Sequence, residues 1–278
     1  MIAILDWGIG GVGFFELLRA RRPDVPVIYF SDTGATPYGK LRAAALAARV
    51  WRVAGHLRAL GAHRLVIACN AASSVLPRLG VPGTSGVLAT PAGPIEITGI
   101  IDHAVRLVRS GNARTVGTIG VIGGRRTVRS GIYGRALGGG VRRIIQRIAQ
   151  PLSARVEAGE LASPRLEREL AAILAPLAGV DALLLACTHY AALSTRFAAH
   201  LPGVRLLDPA PALADWVAAR WLALAPGGAR KAAARPRGAD LFLTTGDPRA
   251  MRIAASRAFG VEIDAGRTRA IVDLPDPP

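Results

Sequence analysis

Two cysteines are the residues of this sequence best suited to chemistry. Cys69 follows the apolar run 65–68, Cys187 follows the apolar run 183–186, and a small polar residue comes after each. The two segments match as strand, Ala-Cys and polar residue, which makes a weak internal repeat. A thiol at the start of a helix has its pKa lowered by the positive end of the helix dipole, so each cysteine is a candidate base or nucleophile.

Two such thiols on opposite sides of a cleft are suited to racemisation. One thiolate removes a proton from carbon, and the other thiol returns a proton to the opposite face. This chemistry needs one ionised and one protonated cysteine, and Asp6, Glu157 and His189 are candidates to set that balance. The alternative interpretation is that both cysteines are buried apolar residues of strands, which is common for free Cys.

Apolar runs and helical patterns alternate along the chain. The runs cover residues 2–5, 27–30, 64–68, 116–122, 182–186 and 241–247, and helical spacing covers residues 12–22 and 41–60. This alternation is typical of parallel βαβ units, so the sequence predicts an α/β fold of two similar lobes with largely parallel sheets. Ligands of such folds bind beyond the carboxyl ends of strands, where Asp6, Asp32 and Cys69 are placed.

Proline-containing stretches suggest where the chain crosses between lobes. Residues 91–94 are one predicted crossover and residues 208–211 are another. The sequence therefore predicts a first lobe over 1–94, a second lobe over 95–208 and a C-terminal segment over 209–278.

Composition excludes several classes of protein. The chain has 278 residues, of which 51% are hydrophobic, so it is long and apolar enough to bury a core. Two cysteines exclude a disulfide framework, and the five histidines show no metal-ligand spacing. The N-terminus has neither a basic leader nor a spanning apolar segment. We therefore expect a cytoplasmic protein with reduced thiols, no membrane association and no metal.

The net charge of +16 suggests a polyanionic partner, but its distribution argues against one. Only Lys40 and Lys231 are lysines among the 35 basic residues, and the arginines are spread along the whole chain. A nucleic-acid interface would concentrate them on one face. We expect solvated arginines and no specific nucleic-acid partner.

Several segments together resemble glutamate racemases of the cofactor-independent Asp/Glu racemase superfamily. They occur in order across nearly the whole chain and cover residues 6–11, 31–33, 37–39, 68–73, 120–133, 186–190 and 244–248. The resemblance implies two α/β lobes with the active site in the cleft between them, and a first lobe completed by the C-terminal segment. It also implies that no cofactor is needed.

The resemblance implies catalytic roles for five residues. Cys69 and Cys187 match the two catalytic bases, with Cys69 acting on the D-enantiomer and Cys187 on the L-enantiomer. Asp6 matches the acid that assists the first cysteine. His189 and Glu157 match the residues that assist the second.

The resemblance also implies a set of substrate contacts. The loop of Pro37, Tyr38 and Gly39 matches the segment that binds the side-chain carboxylate through backbone N–H groups. Asn70 and Thr188 match contacts to the amino and α-carboxylate groups. The remaining expected substrate-binding positions are Trp7, Ala71 and Thr127.

Five positions depart from the family pattern, one of them Ser31, where the family usually has Gly. Trp7 stands where the family usually has Ser, and Ala71 where it usually has Thr, so two hydroxyl donors are missing. Trp7 either points into the cleft and reshapes it or packs between the lobes. Gly124 and Arg126 stand where Thr and Ala are usual, and Arg126 is either a carboxylate clamp or a surface residue.

The sequence therefore predicts an amino-acid racemase, with L- and D-glutamate as its substrates for peptidoglycan synthesis. One alternative is a divergent racemase or epimerase for another carboxylate substrate, because the proton-transfer residues are present while recognition positions differ. A second alternative is a non-catalytic binding relative. The resemblance further implies a homodimer.

Overall fold

Strands and helices alternate along the chain. The computed structural model describes residues 1–110, 117–222, 240–271 and 274. Its strands are β1 (Ile2–Asp6), β2 (Val27–Ser31), β3 (Arg64–Ile67), β4 (Ser85–Leu88), β5 (Ile95–Gly99), β6 (Thr118–Gly123), β7 (Arg143–Ile148), β8 (Ala182–Ala186), β9 (Arg205–Leu207), β10 (Leu241–Thr244) and β11 (Thr268–Ala270).

Two helices show how apolar spacing and a capping residue favour their formation. Leu46, Val50, Val53 and Leu57 form the buried stripe of the second helix, and the Ser163 hydroxyl caps the eighth by accepting a hydrogen bond from the backbone N–H of Leu166. The helices are α1 (Val12–Arg21), α2 (Ala43–Ala59), α3 (Asn70–Ser73), α4 (Ile100–Ser110), α5 (Arg125–Arg129), α6 (Ile132–Leu137), α7 (Gln150–Glu157), α8 (Pro164–Leu174), α9 (Ser194–His200), α10 (Ala210–Trp221) and α11 (Pro248–Phe259). In the described ranges, no helix is both long and apolar enough to cross a membrane.

The larger sheet has the strand order β11-β10-β2-β1-β3-β5-β4, and every pair except β4 with β5 is parallel. β1 lies at its centre and is buried on both faces. Ile2 and Ile4 face one apolar core, whereas Ala3 and Leu5 face the other, as the alternation of side chains along a strand requires. Burial on both faces explains the continuous apolar run of this strand.

The smaller sheet has the order β7-β6-β8-β9 and is parallel throughout. Ile122 and Leu184 of this sheet belong to the same buried cluster as Ile4 of the larger sheet. The two lobes therefore share one continuous core. α10 packs against α1 and α4 and contributes to that shared core.

The predicted α/β fold of two lobes is confirmed, and most predicted strands begin within two residues of the observed ones. Val116, the predicted first residue of β6, lies outside the described residues. The predicted lobe boundary between residues 94 and 95 falls one strand too early, because β5 pairs with β3 in the larger sheet.

The predicted crossover at residues 91–94 is wrong for the same reason. This stretch is the turn of an antiparallel hairpin between β4 and β5. The Thr90 hydroxyl donates a hydrogen bond of 2.6 Å to the carbonyl of Gly93, whose φ of +104° suits glycine. Proline and glycine mark a hairpin turn and an interlobe crossover equally well, so the sequence pattern alone did not distinguish them.

The C-terminal segment pairs with the larger sheet. β10 lies beside β2, and β11 lies beside β10. Residues 223–239 of this segment lie outside the described residues. The pairing supports the predicted return of residues 209–278 to the first lobe, which we keep as a proposal.

Asp32 joins four parts of the larger lobe. Its carboxylate is fully buried and accepts two hydrogen bonds from the Arg49 guanidinium, at 2.8 and 2.6 Å. It also accepts hydrogen bonds from the hydroxyls of Tyr38 at 2.6 Å and Thr245 at 2.8 Å. Asp32 thus connects the end of β2, the following loop, α2 and the end of β10.

We expect Asp32→Ala to lower the free energy of unfolding by about 3 kcal/mol, because it leaves the Arg49 charge without its buried partner. Urea unfolding measures this loss. Asp215→Ala is the matched control, since Asp215 pairs with Arg21 but its side chain is 69% exposed. The control should cost less than about 1 kcal/mol. Equal losses in the two variants would show that the Asp32 network does not hold the loop.

Candidate active site

A single cleft lies where strands of both sheets end. Residues from both lobes line it. The lining residues follow β1, β2 and β3 in the larger sheet and β6, β7 and β8 in the smaller one. They are Asp6, Trp7, Pro37, Tyr38, Gly39, Cys69, Asn70, Ala71, Gly124, Thr127, Gln150, Ser153, Ala186, Cys187, Thr188 and His189.

The two thiols line this cleft from opposite lobes. Cys69 comes after β3 and immediately precedes α3, and Cys187 comes after β8 and immediately precedes the 3₁₀ helix Thr188–Leu193. Both are free cysteines, Cys69 buried and Cys187 half-buried. The matching sequence segments therefore correspond to equivalent positions in the two sheets.

Burial raises the pKa of the Cys69 thiol well above its ordinary value, and the neighbouring Asp6 raises it further. Backbone N–H groups of Ala72 and Ala71 oppose this shift without cancelling it. The prediction of a lowered pKa is wrong for Cys69. α3 has only four residues, so its dipole does not offset the loss of solvation.

His189 lies between Cys187 and Glu157. Its Nδ1 is 3.6 Å from Cys187 Sγ, and its Nε2 is 2.6 Å from Glu157 Oε1. Burial by itself lowers the pKa of His189. The hydrogen bonds and negative charges of Cys187 and Glu157 outweigh burial, and the net pKa lies well above the ordinary value. The raised pKa favours the protonated form of His189, which can donate one hydrogen bond to the sulfur and one to the carboxylate.

Asp6 is fully buried beside the first thiol. It accepts hydrogen bonds from the backbone N–H of Trp7 at 2.7 Å and from the Thr188 hydroxyl of the other lobe at 2.8 Å. Burial raises the pKa of Asp6 to about 6, although His189 and these hydrogen bonds lower it. Asp6 can therefore change protonation state close to neutral pH.

Two glycines allow the lobes to approach each other at the cleft. A Cβ on Gly8 would lie 1.7 Å from Glu157 Oε1, and a Cβ on Gly10 would lie 2.4 Å from Thr188 Oγ1. Because Gly8 carries no side chain, the backbone N–H of Ile9 donates a hydrogen bond of 2.7 Å to Glu157 Oε1. Glu157 does not line the cleft itself but is hydrogen-bonded to His189, which does.

The sequence left open whether Trp7 points into the cleft or packs between the lobes. In the structure Trp7 lines the cleft. Its indole N–H donates a hydrogen bond of 3.1 Å to the carbonyl of Ala35. Its ring lies 6.4 Å from the His189 ring, between centroids. The one side-chain donor of Trp7 is therefore engaged within the protein and is not available to a ligand.

The predicted substrate contacts are brought together at the same cleft. Asn70 Oδ1 accepts a hydrogen bond of 2.5 Å from the Tyr133 hydroxyl, while its buried Nδ2 has no partner among the described residues. Thr127 is buried at the cleft wall, and Ala71 offers no polar side-chain atom. The Tyr38 hydroxyl is engaged by Asp32.

Four of the lining residues were not predicted as site residues, and one of them is Gly124 on the loop after β6. Gln150 and Ser153 lie in the first turn of α7, and Ala186 ends β8. The sequence could have indicated Gln150, because it follows a strand of a parallel sheet just as Cys69 does. Arg126 is half-buried on α5 and is not among the residues that line the cleft.

Comparisons with known proteins agree with this geometry. Residues 13–217 match the family model described as Asp/Glu/Hydantoin racemase. The chain is 34% identical to the glutamate racemase of Thermus thermophilus over 98% of this chain and 97% of that protein. It is also 34% identical to the glutamate racemase of Beutenbergia cavernae, over 95% of this chain and 90% of that protein.

A solved structure shares the fold. The crystal structure of Thermus thermophilus glutamate racemase in complex with β-chloro-D-alanine superposes with a TM-score of 0.78 at 31% identity, over 97% of this chain and 96% of that one. The fold and the matches define the class, which is the racemases built from two α/β lobes. The chain belongs to the Asp/Glu/hydantoin racemase family, and the resemblance to glutamate racemases seen in its motifs is confirmed.

We expect Glu157→Gln to lower the pKa of His189, because the substitution removes a negative charge 2.6 Å from Nε2 but keeps an oxygen for the Ile9 N–H. His189 would then lose its proton at a lower pH than in the unsubstituted protein. Titration of the ¹⁵N-labelled imidazole by NMR measures this shift. Glu167→Gln, beside His200 on the surface, is the matched control and should leave the His189 titration unchanged. An unchanged His189 titration in Glu157→Gln would contradict the assignment.

Proposed function

We propose that this chain interconverts L- and D-glutamate by proton transfer at the α-carbon. The observation that carries the proposal is that one thiol from each lobe lines a single cleft. The names of the Thermus and Beutenbergia relatives, both glutamate racemases, support the choice of substrate.

The reaction consists of two proton transfers on opposite faces of the same carbon. One cysteine, as a thiolate, takes the α-proton, and the other cysteine, as a thiol, donates its proton from the opposite side. One S–H bond forms and one breaks, so the pair ends with its protonation states exchanged and is ready for the reverse direction. The two thiols carry both protons, and no redox step is involved.

The two sides of the cleft differ in electrostatic character. Asp6 lies beside Cys69, whose pKa is raised, so the carboxylate is the group suited to take the proton from this thiol. His189 lies beside Cys187 and, as an imidazolium, stabilises a thiolate there. We infer that Cys69 acts on D-glutamate with Asp6, and Cys187 on L-glutamate with His189 and Glu157.

Substrate contacts follow from the same arrangement. We assign the backbone of the Pro37–Gly39 loop to the side-chain carboxylate, and Asn70 to the amino and α-carboxylate groups. The free Nδ2 donor of Asn70 is buried at the cleft, so a bound carboxylate would satisfy it. Thr127 and Thr188 are further candidate contacts.

A second candidate function is racemisation or epimerisation of another carboxylate substrate. Trp7 lines the cleft with its only side-chain donor engaged, and Ala71 has none. Both features change the recognition surface without changing the thiols. Substrate specificity, and not the proton chemistry, separates the two candidates.

The cellular role belongs to the same proposal. D-glutamate is a building block of peptidoglycan, so we place the enzyme in the cytoplasm, where reducing conditions keep the two cysteines as thiols. The predicted homodimer and the predicted absence of a specific nucleic-acid partner stay predictions.

We expect the protein to exchange the α-proton of glutamate in D₂O with inversion of configuration, as followed by NMR and by polarimetry. Cys69→Ser and Cys187→Ser should each lower the racemisation rate by about a thousandfold or more, because each removes one of the two proton-transfer groups. A panel that includes aspartate and other amino acids runs in parallel.

The double variant Cys69→Ser, Cys187→Ser is the blank for this experiment. Exchange of another amino acid in place of glutamate would favour the second candidate function. Full activity in either single variant would rule out a two-thiol mechanism. A protein that exchanges no member of the panel would be the non-catalytic relative.

We expect racemisation of D-glutamate to fall as the pH drops through about 6, because Asp6 takes up a proton there and can no longer accept one from Cys69. The pH dependence of kcat/KM measures this limb. Asp6→Asn should remove the limb and lower the rate above about pH 6, where Asp6 is ionised. An unchanged acid limb in Asp6→Asn would assign it to another group.

A further inference from the structure

The Gln150 side chain crosses from the smaller lobe to the substrate-carboxylate loop of the larger lobe. It is the first residue of α7, and the residue before it donates a backbone hydrogen bond of 2.9 Å to Gly123 at the end of β6. A Cβ on Gly39 would lie 2.1 Å from Gln150 Oε1 and 3.0 Å from its Nε2. The carboxamide therefore lies directly against the Cα of Gly39, and both residues line the cleft.

The orientation of this carboxamide is set by its neighbours. Oε1 accepts a hydrogen bond of 3.0 Å from the backbone N–H of Arg125, a group that can only donate. Nε2 donates a hydrogen bond of 3.2 Å to Ser153 Oγ, whose own proton goes to the backbone carbonyl of Gln150 at 2.9 Å. The amide nitrogen has two hydrogens and makes one hydrogen bond within the described residues. One N–H donor is left, on a group held in place from two sides.

The larger lobe offers few side-chain donors to a ligand near this point. The indole N–H of Trp7 is engaged by Ala35, and the Tyr38 hydroxyl is engaged by Asp32. Ala71 has no polar side-chain atom. Asn70 has a free donor, but it follows Cys69 in the sequence and lies at the reacting end of the cleft. At the Gly39 end, the carboxamide of Gln150 is the oriented side-chain donor.

We propose that Gln150 is a specificity-determining residue, which donates its free N–H to the side-chain carboxylate of a dicarboxylic amino acid held against the Gly39 loop. The inference rests on the proposed function, because it assigns the recognition of the distal end of the same substrate. Ser153 and the Arg125 N–H are positioning groups that hold the carboxamide at the cleft wall. Recognition of the distal carboxylate is thereby shared between the two lobes.

The test compares Gln150→Glu and Gln150→Met with the unsubstituted enzyme. Glutamate at this position keeps the shape and can still accept from the Arg125 N–H, but it replaces the free donor with a negative acceptor. Methionine keeps the length and removes both polar atoms. Gln146→Glu makes the same chemical change at the only other glutamine of the chain, on β7 and outside the cleft lining, and is the matched control.

We expect Gln150→Glu to raise KM for glutamate about tenfold or more and Gln150→Met about threefold, with kcat within about twofold in both, because the lost contact lies away from the thiols. Calorimetric binding of glutarate, which has two carboxylates and no α-amino group, should weaken in the same order. Thermal unfolding of the variants and unchanged kinetics of Gln146→Glu would show that the effect belongs to the cleft.

Three results would overturn the inference. If the unsubstituted enzyme racemises glutamate and Gln150→Glu keeps KM and glutarate affinity within twofold, Gln150 does not read the distal carboxylate and the proposed function stands. If Gln150→Glu lowers kcat at unchanged KM, its role lies in the chemical step. If the unsubstituted enzyme does not exchange glutamate, the proposed function fails and the inference fails with it.

Discussion

A single carboxylate oxygen, Glu157 Oε1, joins the two lobes at the site. It accepts one hydrogen bond from the backbone of Ile9 in the larger lobe and one from His189 in the smaller lobe. Both partners lie within 2.7 Å, so the glycine at position 8 is a steric requirement and not a matter of flexibility. The orientation of His189 toward Cys187, and hence the electrostatic environment of the second thiol, depends on this contact.

The two thiols differ in their burial and in their charged neighbours, although they occupy equivalent positions in similar sheets. Cys69 is buried beside a carboxylate, and both effects favour its neutral form. Cys187 is half-buried, and its sulfur lies 3.6 Å from Nδ1 of His189, whose own pKa is raised. The two-base reaction that we propose needs one proton donor and one proton acceptor at the same time, and these different surroundings agree with that need. The hydrogen bond from Thr188 to Asp6 links the two halves, so a proton gained on one side is felt on the other.

The residues that we propose for substrate binding are held by hydrogen bonds that are separate from those of the proposed proton-transfer groups. Asp32 accepts the hydrogen bond of the Tyr38 hydroxyl, so this side chain has no free donor for a ligand. Trp7 adds apolar surface in the same region. The oriented amides of Asn70 and Gln150 then become the side-chain groups best placed to satisfy a carboxylate. Each of them is held by a hydrogen bond that does not involve ligand, which lowers the entropic cost of binding.

The sequence by itself determined the alternation of strands and helices, the position of both thiols after strands, and the motif order that implied the family, because these depend on neighbours along the chain. Only the tertiary structure decided that β5 belongs to the larger sheet, that Trp7 lines the cleft, and that Gln150 reaches Gly39. These outcomes depend on contacts between residues far apart in sequence, which periodicity does not encode. The raised pKa of Cys69 has the same origin, since burial by other segments outweighs the local helix dipole from which the opposite shift was predicted.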